Sequence, residues 1–524
     1  MSDTNTTSPT PKSAAPVETS SSALKLVAVE DSGSKPEKRK RYLMNDAGNA
    51  DRLVDTFGRA LIYCPEHGFV VWTGTHWAQD DFILIERLAE QTMRRVFAEV
   101  GDLDDKDDRS KLSKFINRSL ERKGITDMCQ SAKRKLRLVH LPDFDAKPYL
   151  LNVKNGVIDL RTGRLRNHSC NDLVSKVIPI TFDAKACCPI FMNFINRILP
   201  DAKLREYVQR AVGCGATGFP EKALFLLIGT MGGDNGKTTF LELCREALQS
   251  YAGEVQIETL MAKPKEAMMG NSINADLADL RATRFVTSSE VEQGQRLNVA
   301  RVKYLTGRKQ IRARYLRKPF FNFAPSHKIF LDCNHKPVIK NPHDAIWNRM
   351  KCIPFDVQIP KHEIDVHLGE KLRRELPGIL RWIVEGAVLY LREGLPDVPK
   401  VQQATEAYRS ESDVLAGFLT ECRLDLKARV GKTELWNAYR TYSETAGESV
   451  LEKTDFEAQL RQRGINETRI EHGTVRAWTG IGLAASPPSG SATVGNGGKD
   501  SGKSEQPAQK RRWVKCSFLP ERLK

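Results

Sequence analysis

The sequence contains no long apolar stretch, no CxxC pair and no internal repeat, and each absence excludes a class of protein. No uninterrupted apolar run approaches the roughly 20 residues of a membrane span, and the N-terminus has no apolar signal core. The 11 cysteines are odd in number and irregularly spaced, which argues against a disulfide framework and a standard zinc ribbon. These absences predict a soluble, cytoplasmic protein with reduced thiols and no membrane partner.

The sequence also has fewer acidic than basic residues. Lys and Arg number 81 against 65 Asp and Glu, which gives a formal net charge of +16. Counterion release favours the binding of such a surface to a polyanion, so the balance indicates nucleic acid as a partner. The alternative is a basic protein whose charge serves solubility alone. The length of 524 residues predicts about three domains with linkers.

Composition divides the chain into six segments. Both ends are rich in small, polar and basic residues that bury too little to fold, which predicts disordered tails. Between the tails, strand-like and helical patterns alternate, and Asn155-Gly156 predicts a β-hairpin. The predicted segments are a basic tail at 1–42, an α+β domain at 43–189, an α/β domain at 190–360, a helical connector at 361–410, a small helix-and-strand domain at 411–485 and a flexible basic tail at 486–524.

The stretch GTMGGDNGKTTF (229–240) places glycines, a lysine and two threonines between a buried strand and an amphipathic helix. Phosphate binding needs backbone N–H groups in a concave loop, a helix N-terminus, a lysine and a hydroxyl for Mg²⁺. The candidate phosphate-binding residues are Gly232, Gly233, Asn235, Gly236, Lys237, Thr238 and Thr239. Met231 replaces the first glycine of G-x-x-x-x-G-K-[ST], and the loop measured from Gly229 is two residues longer. A glycine turn without a ligand is the alternative, but the order of strand, loop, Lys-Thr and helix favours a nucleotide site.

Three later segments supply residues for the same chemistry. The strand in RFVTSSEVEQGQRLN runs into Glu290 and Glu292, which can hold Mg²⁺ and activate water. The strand in HKIFLDCNHKP ends at Asn334, whose amide can sense the γ-phosphate and align the water. Arg349 in AIWNRMKCIPF can reach a neighbouring subunit's nucleotide and stabilise transition-state charge. Each segment taken alone has a simpler interpretation. The glutamates could lie in a surface loop, the asparagine in a turn before Pro337, and the arginine could have no special role.

The chain resembles superfamily 3 helicases in the order of five motifs: NGKTT, SSEVEQGQRLN, LTGRKQIRARYLRKPF, KIFLDCNHKP and AIWNRMKCIPF. More narrowly, it is similar to the phage and plasmid primase-helicase family, which is related to the poxvirus primase-helicase. The likeness extends over residues 43–485. It implies an α/β, AAA+-like P-loop ATPase core with an α+β N-terminal helicase-associated domain and a C-terminal winged-helix domain.

The resemblance also assigns a role to each predicted site residue. It implies Lys237 and Thr238 for ATP and Mg²⁺, Glu290 as the main Walker B acid with Glu292 as second candidate, Asn334 as the sensor and Arg349 as the trans-acting finger. Asp332 departs from the family, which usually has a small neutral residue in this strand. Asp332 lies near the metal or, as we expect, packs at a strand end beside a basic partner.

The stretch QIRARYLRKPFFNF occupies the place of a β-hairpin that superfamily 3 helicases project into a central channel to grip DNA. Basic residues on such a hairpin suit phosphate contacts that do not depend on sequence. The residues predicted to contact DNA are Arg312, Arg314, Arg317 and Lys318. Nearby aromatic rings can stack bases, but we interpret Phe320, Phe321 and Phe323 as core residues.

The expected activity is ATP-dependent translocation on single-stranded and forked DNA by a ring-forming homo-oligomer, a hexamer in this expectation. The resemblance implies 3′ to 5′ movement in phage, plasmid or mobile-element replication. No primase domain is recognised in the region of about 190 residues before the ATPase, so a separate primase is expected to supply priming if priming occurs, and a primase-helicase acting with such a partner is one alternative. The alternatives are an origin-binding replication initiator in which ATP drives assembly and, less favoured, a helicase loader or packaging motor.

Overall fold

In this computed structural model the chain forms two compact units, one ending at Gly417 and the other beginning at Phe418. The described residues are 42–80, 83–229, 233–262, 275–288, 290–315, 320–339, 345–447, 450–470 and 474–483. Gly232, Arg317, Lys318 and the predicted tails, apart from residue 42, lie outside them. Within these ranges no helix combines the length and apolarity that a membrane crossing requires.

The N-terminal part of the first unit contains four helices, a four-stranded sheet with the order β3-β2-β1-β4, and a three-stranded meander β5-β6-β7. The predicted hairpin at Asn155-Gly156 is confirmed, because β5 and β6 pair antiparallel on either side of it. The bounds are α1 (Asp46–Phe57), β1 (Leu61–Cys64), β2 (Gly68–Trp72), β3 (Trp77–Gln79), α2 (Ile83–Ala98), α3 (Lys106–Leu120), α4 (Arg122–Ala132), β4 (Arg137–Leu138), β5 (Leu150–Val153), β6 (Gly156–Asp159) and β7 (Arg164–Arg166).

The rest of the first unit is built on a five-stranded sheet with the order β14-β8-β13-β10-β9, in which every neighbouring pair is parallel. Such a sheet confirms the predicted α/β class and is consistent with a P-loop-like core. The bounds are α5 (Pro189–Ile198), α6 (Ala202–Ala216), β8 (Leu224–Gly229), α7 (Lys237–Leu248), β9 (Ala252–Val255), α8 (Ala275–Ala278), β10 (Phe285–Ser288), α9 (Val299–Gly307), β11 (Ile311–Ala313), β12 (Phe321–Phe323), β13 (Lys328–Cys333), β14 (Met350–Phe355), α10 (Leu368–Arg374), α11 (Leu376–Glu393) and α12 (Pro399–Glu411).

Both faces of the parallel sheet are covered, which explains why its strands are continuous apolar runs. Phe225 and Leu227 of β8 pack in a core shared with α6, α7 and α11. Leu224 and Leu226 point the other way, into a core shared with α9 and the β11–β12 hairpin. Because the strands are parallel, their carboxyl ends meet at one edge of the sheet, and that edge receives the glycine loop between β8 and α7.

The second unit has a three-stranded antiparallel sheet, β16-β18-β17, and a separate pair, β15-β19. Its core includes Trp478 together with an aromatic group in which the Tyr439 and Phe456 rings stack at 4.8 Å. The bounds are α13 (Ala416–Thr420), β15 (Cys422–Arg423), β16 (Arg429–Gly431), α14 (Lys432–Ala446), α15 (Lys453–Gln462), β17 (Asn466–Ile470), β18 (Val475–Thr479) and β19 (Gly482–Leu483). The unit begins seven residues after the predicted boundary at 411.

Candidate nucleotide-binding site

The loop between β8 and α7 adopts backbone conformations that require glycine. Gly236 precedes the first residue of α7 with φ +76°, and a Cβ there would lie 2.8 Å from Ile198 Cγ2. Gly233 has φ +72°, and the Asp234 carbonyl accepts a hydrogen bond from Ile359 N at 2.7 Å. The described part of the loop is therefore anchored, and it leads into a helix N-terminus at the carboxyl edge of the sheet.

Lys237 is almost fully buried, with 2% of its surface exposed. Its Nζ donates to Asn334 Oδ1 at 2.8 Å and to Asn235 Oδ1 at 3.0 Å. Gly229 allows this arrangement, because a Cβ built on it would lie 2.3 Å from the same Nζ. The structure thus brings together Lys237, Asn235 and Asn334, three of the predicted site residues, around one ammonium group.

Thr238, the next residue of α7, pairs with Asp332, which was expected near the metal or, in the favoured alternative, at a strand end beside a basic partner. Its hydroxyl donates to Asp332 Oδ2 at 2.7 Å, and Asp332 Oδ1 lies 3.6 Å from Lys237 Nζ. Asp332 is 4% exposed and lies near the carboxyl end of β13, the strand adjacent to β8. Burial raises the pKa of Asp332 and the charge of Glu290 raises it further, whereas Thr238 and Lys237 lower it.

Four polar side-chain atoms near this edge are buried without a hydrogen-bond partner among the described residues: Asn235 Nδ2, Thr287 Oγ1, Ser288 Oγ and Asp332 Oδ1. A buried polar atom left unpaired costs free energy, so a cluster of them indicates a place for a polar ligand. The site offers an ammonium, a hydroxyl and a carboxylate, which fit a nucleotide phosphate and Mg²⁺. Thr239 continues the same first turn of α7.

The two predicted Walker B acids lie beyond the end of β10 and are exposed. Glu290 is close enough for its charge to raise the pKa of Asp332. The Glu292 carboxylate accepts a hydrogen bond from Gln295 Nε2 at 3.2 Å, within its own loop. Glu290 therefore borders the site, while the described contacts of Glu292 point away from it.

Arg349 lies at the amino edge of the sheet, where its parallel strands begin, opposite the carboxyl edge that receives the glycine loop. It directly precedes β14, and its carbonyl accepts a hydrogen bond from Leu224 N at the start of β8, at 2.8 Å. The six residues of β8 span roughly 20 Å between this edge and the glycine loop. The Arg349 guanidinium packs against Gly307, where a Cβ would lie 3.1 Å from Nη2. The structure does not bring Arg349 to the phosphate loop of its own chain.

The predicted basic hairpin is present as β11 and β12, which pair antiparallel with Arg312 opposite Asn322. Phe323 is buried and Phe321 is partly buried, as expected of core residues. Phe320 is not a core residue, because it is 51% exposed. Its ring lies 4.4 Å from the Arg312 guanidinium and 4.7 Å from that of Arg314.

Comparisons with known proteins agree with the predicted resemblance. Residues 50–200 match the family described as D5 N terminal like. A protein named as a helicase, L207/L206 of Acanthamoeba polyphaga mimivirus, is 28% identical over 337 residues, which cover 59% of this chain and 34% of that protein. A protein named as a primase, C962R of African swine fever virus (strain Badajoz 1971 Vero-adapted), is 22% identical over 393 residues, covering 68% and 39%. This chain spans about a third of the length of such relatives.

Among solved structures, the A form of the apo C-terminal region of NrS-1 is similar at a TM-score of 0.35 and 12% identity, over 57% of this chain and 79% of that one. The family match and the viral relatives confirm the predicted resemblance to phage and viral primase-helicase-like proteins.

Proposed function

We propose that this relative of viral helicases and primases is an ATP-dependent DNA helicase that works as a ring in DNA replication. The observation that supports it most is the convergence of Lys237, Thr238 and Asn334 at the carboxyl edge of a parallel sheet. Open parallel sheets bind ligands at that edge, and a lysine beside a hydroxyl at a helix N-terminus suits a triphosphate.

In this proposal ATP lies over the glycine loop, with Thr238 and Glu290 as the proposed holders of Mg²⁺ and Glu292 as the weaker candidate. Bound Mg²⁺ supplies charge neutralisation at the phosphate oxygens. Lys237 is already oriented by amide and carboxylate oxygens, so phosphate oxygens can replace them without leaving the ammonium unpaired. Glu290 accepts the proton of the attacking water, and the Asn334 amide turns to align it.

The proposal gives Arg349 a role in the site of the adjacent protomer. Its distance from its own phosphate loop, about the length of β8, agrees with action in trans. An arginine that serves a neighbour requires a head-to-tail interface, and such an interface closes into a ring when its rotation permits. We propose a homo-hexamer on this basis.

DNA contacts are proposed for the β11–β12 hairpin. Arg312 is exposed there and Arg314 is partly exposed, and the chain has a net charge of +16. Arg317 and Lys318, outside the described residues, belong to the same proposal. Single-stranded and forked DNA are the proposed substrates, because hairpins with basic residues hold phosphates without reading bases.

A second candidate function is an origin-binding initiator in which ATP drives assembly. The C-terminal unit supports this candidate, because a winged-helix domain could recognise an origin. In this unit a strand (β16), two helices (α14 and α15) and an antiparallel pair (β17 and β18) follow in the order that a winged-helix domain needs. Sequence-specific duplex binding that is insensitive to ATP hydrolysis supports the initiator. Strand displacement on a forked substrate supports the helicase and separates it from a loader or packaging motor.

The test is an unwinding assay on forked DNA, together with ATP hydrolysis, for the protein and its Lys237→Ala and Arg349→Ala variants. We expect each variant alone to lose DNA-stimulated hydrolysis, while Lys222→Ala, an exposed lysine next to the same strand, retains it. Mixing the two inactive variants should restore part of the activity, because some interfaces then combine an intact Lys237 with an intact Arg349. Full hydrolysis by Lys237→Ala, or mixtures that never regain turnover, contradict the proposal.

A further inference from the structure

We infer that Asp332 supplies the buried carboxylate that holds Mg²⁺ beside Thr238, so that this ligand comes from β13 rather than from the acids after β10. The inference rests on the proposed nucleotide site and names a residue of that site. It replaces Glu290 as the proposed acidic ligand of Mg²⁺, so that Glu290 acts on water alone.

The first support is the bond between Thr238 and Asp332. The hydroxyl that follows the phosphate-loop lysine is the one that P-loop proteins offer to Mg²⁺, together with an aspartate. Here Thr238 Oγ1 and Asp332 Oδ2 are 2.7 Å apart, so both oxygens already lie within reach of one cation. A carboxylate that bonds this hydroxyl occupies the place where a second metal ligand is needed.

The second support is the unsatisfied oxygen of Asp332. Oδ1 is buried, has no hydrogen-bond partner among the described residues, and lies 3.6 Å from Lys237 Nζ. A buried carboxylate is costly unless it is paired or coordinates a metal. Lys237 provides part of the compensating charge, and the oxygen that remains open is available to a hard cation, which prefers carboxylate ligands.

The third support is the contrast with β10. That strand ends at Ser288, and the sequence places a second serine, Ser289, before Glu290. Glu290 is exposed past the strand end, and Glu292 is bonded to Gln295. Asp332 instead faces α7, since it lies two residues after Phe330 on the same face of β13, and Phe330 packs in the core shared with that helix. Of the three acids, Asp332 alone has a described hydrogen bond to a phosphate-loop residue.

The test measures nucleotide and metal binding rather than turnover. Affinity for ATP is determined by calorimetry in excess Mg²⁺ and again in EDTA, and Mn²⁺ binding in the presence of ATP is measured by electron paramagnetic resonance. The variants are Asp332→Asn, which keeps the shape and a hydrogen-bond acceptor for Thr238, and Asp279→Asn, the same substitution at an exposed aspartate directly after α8, as the matched control. Thermal melting verifies that each variant is folded.

We expect Asp332→Asn to lose most of the gain in ATP affinity that Mg²⁺ provides and to weaken Mn²⁺ binding at least about tenfold. Its ATP affinity in EDTA should stay near that of the parent protein, and Asp279→Asn should behave as the parent in both conditions. A retained Mg²⁺-dependent gain in Asp332→Asn, or an equal loss with and without metal, overturns the inference. Failure of the parent protein to bind ATP in either condition is a different result, because it overturns the proposed nucleotide site itself.

Discussion

Two buried lysines lie at opposite edges of the same parallel sheet, and they differ in what holds them. Lys237, after β8, is bonded to side-chain oxygens of Asn235 and Asn334 and lies near Asp332. Lys328, at the start of β13 and 0% exposed, donates to the backbone carbonyls of Thr217 and Ser326. Side-chain oxygens can rotate away when a ligand arrives, whereas backbone carbonyls are fixed by the fold.

A second buried cation at the amino edge, Arg284, also has a backbone carbonyl as its partner. Arg284 donates to the Ala216 carbonyl at 3.0 Å, so two cations meet the carbonyl end of α6. The last carbonyls of a helix have no partner within it and favour positive charge. Burial of a lysine therefore does not identify a functional site. The nature of its partners does, and exchangeable partners mark the carboxyl edge as the place for a ligand.

The largest expected effect tests this contrast with the same substitution at both lysines. Lys237→Met should lower DNA-stimulated ATP hydrolysis at least about 100-fold, because a preorganised cation at the phosphates is lost. Its free energy of unfolding should also fall, because the buried Asp332 carboxylate and the buried Asn235 amide lose their ammonium partner, so hydrolysis is compared per folded molecule. Hydrolysis assays and urea unfolding measure the two quantities.

Lys328→Met should lose stability without losing hydrolysis. Two buried carbonyls lose a donor, and we expect the free energy of unfolding to fall by about 2 kcal/mol. Hydrolysis per folded molecule should be retained. Lys203→Met, an exposed lysine of α6, is the control and should change neither quantity. The contrast between the edges fails if Lys328→Met keeps its stability but loses hydrolysis.

A smaller effect depends on pH. The pKa of Lys328 is lowered from 10.5 to about 8, mainly by burial and in addition by the charge of Arg284, while Cys214 and Glu221 oppose the shift. Between these values the unfolded chain keeps a proton that the folded protein has released, so the free energy of unfolding rises with pH. The contribution should approach about 1 kcal/mol per pH unit.

Urea unfolding of the parent protein and of Lys328→Met at pH 8 and at pH 10 measures this contribution, because other titrating groups cancel in the difference. The stability of the parent protein relative to the variant should be greater at pH 10. A constant difference would mean that Lys328 keeps its ordinary pKa in the folded protein, and a difference that falls with pH would mean that its pKa is raised.

The parts of the candidate site that could be predicted from the sequence are those that are local or that follow from the parallel sheet. The order of strand, glycine loop, lysine and helix lies within one segment, so β8, Gly236 and Lys237 could be predicted together. The approach of Asn334 to Lys237 followed because carboxyl ends of parallel strands meet at one edge. Both depend on patterns that a single strand or loop already displays.

The remaining features depend on which strands become neighbours. Thr238 and Asp332 are 94 residues apart, and they meet because β13 lies beside β8, which no local pattern specifies. Asp332 was expected beside a basic partner, and its partner is Lys237, inside the site. The exposure of Phe320 is set by the register of β11 and β12, which the run of aromatic residues does not reveal.

The smallest expected effect concerns the position of Arg349 at the amino edge. In Gly307→Ala, the new Cβ would lie 3.1 Å from Arg349 Nη2, closer than an ordinary contact, so the guanidinium has to move. The movable group is the end of a flexible side chain, and the fold should tolerate the change. If Arg349 acts on the neighbouring nucleotide from this position, DNA-stimulated hydrolysis should fall several-fold while ATP binding by the protein is retained.

The control is Gly369→Ala, which also introduces a methyl group near an arginine but leaves 3.6 Å to Arg373 Nη1. Melting temperature, ATP affinity and hydrolysis are compared for the two variants. Suppose that Arg349→Ala abolishes hydrolysis but Gly307→Ala leaves it unchanged. That result would mean that the Arg349 guanidinium leaves Gly307 when protomers assemble. In that case Arg349, like Lys237, has exchangeable neighbours, and the fixed character of the amino edge belongs to Arg284 and Lys328 alone.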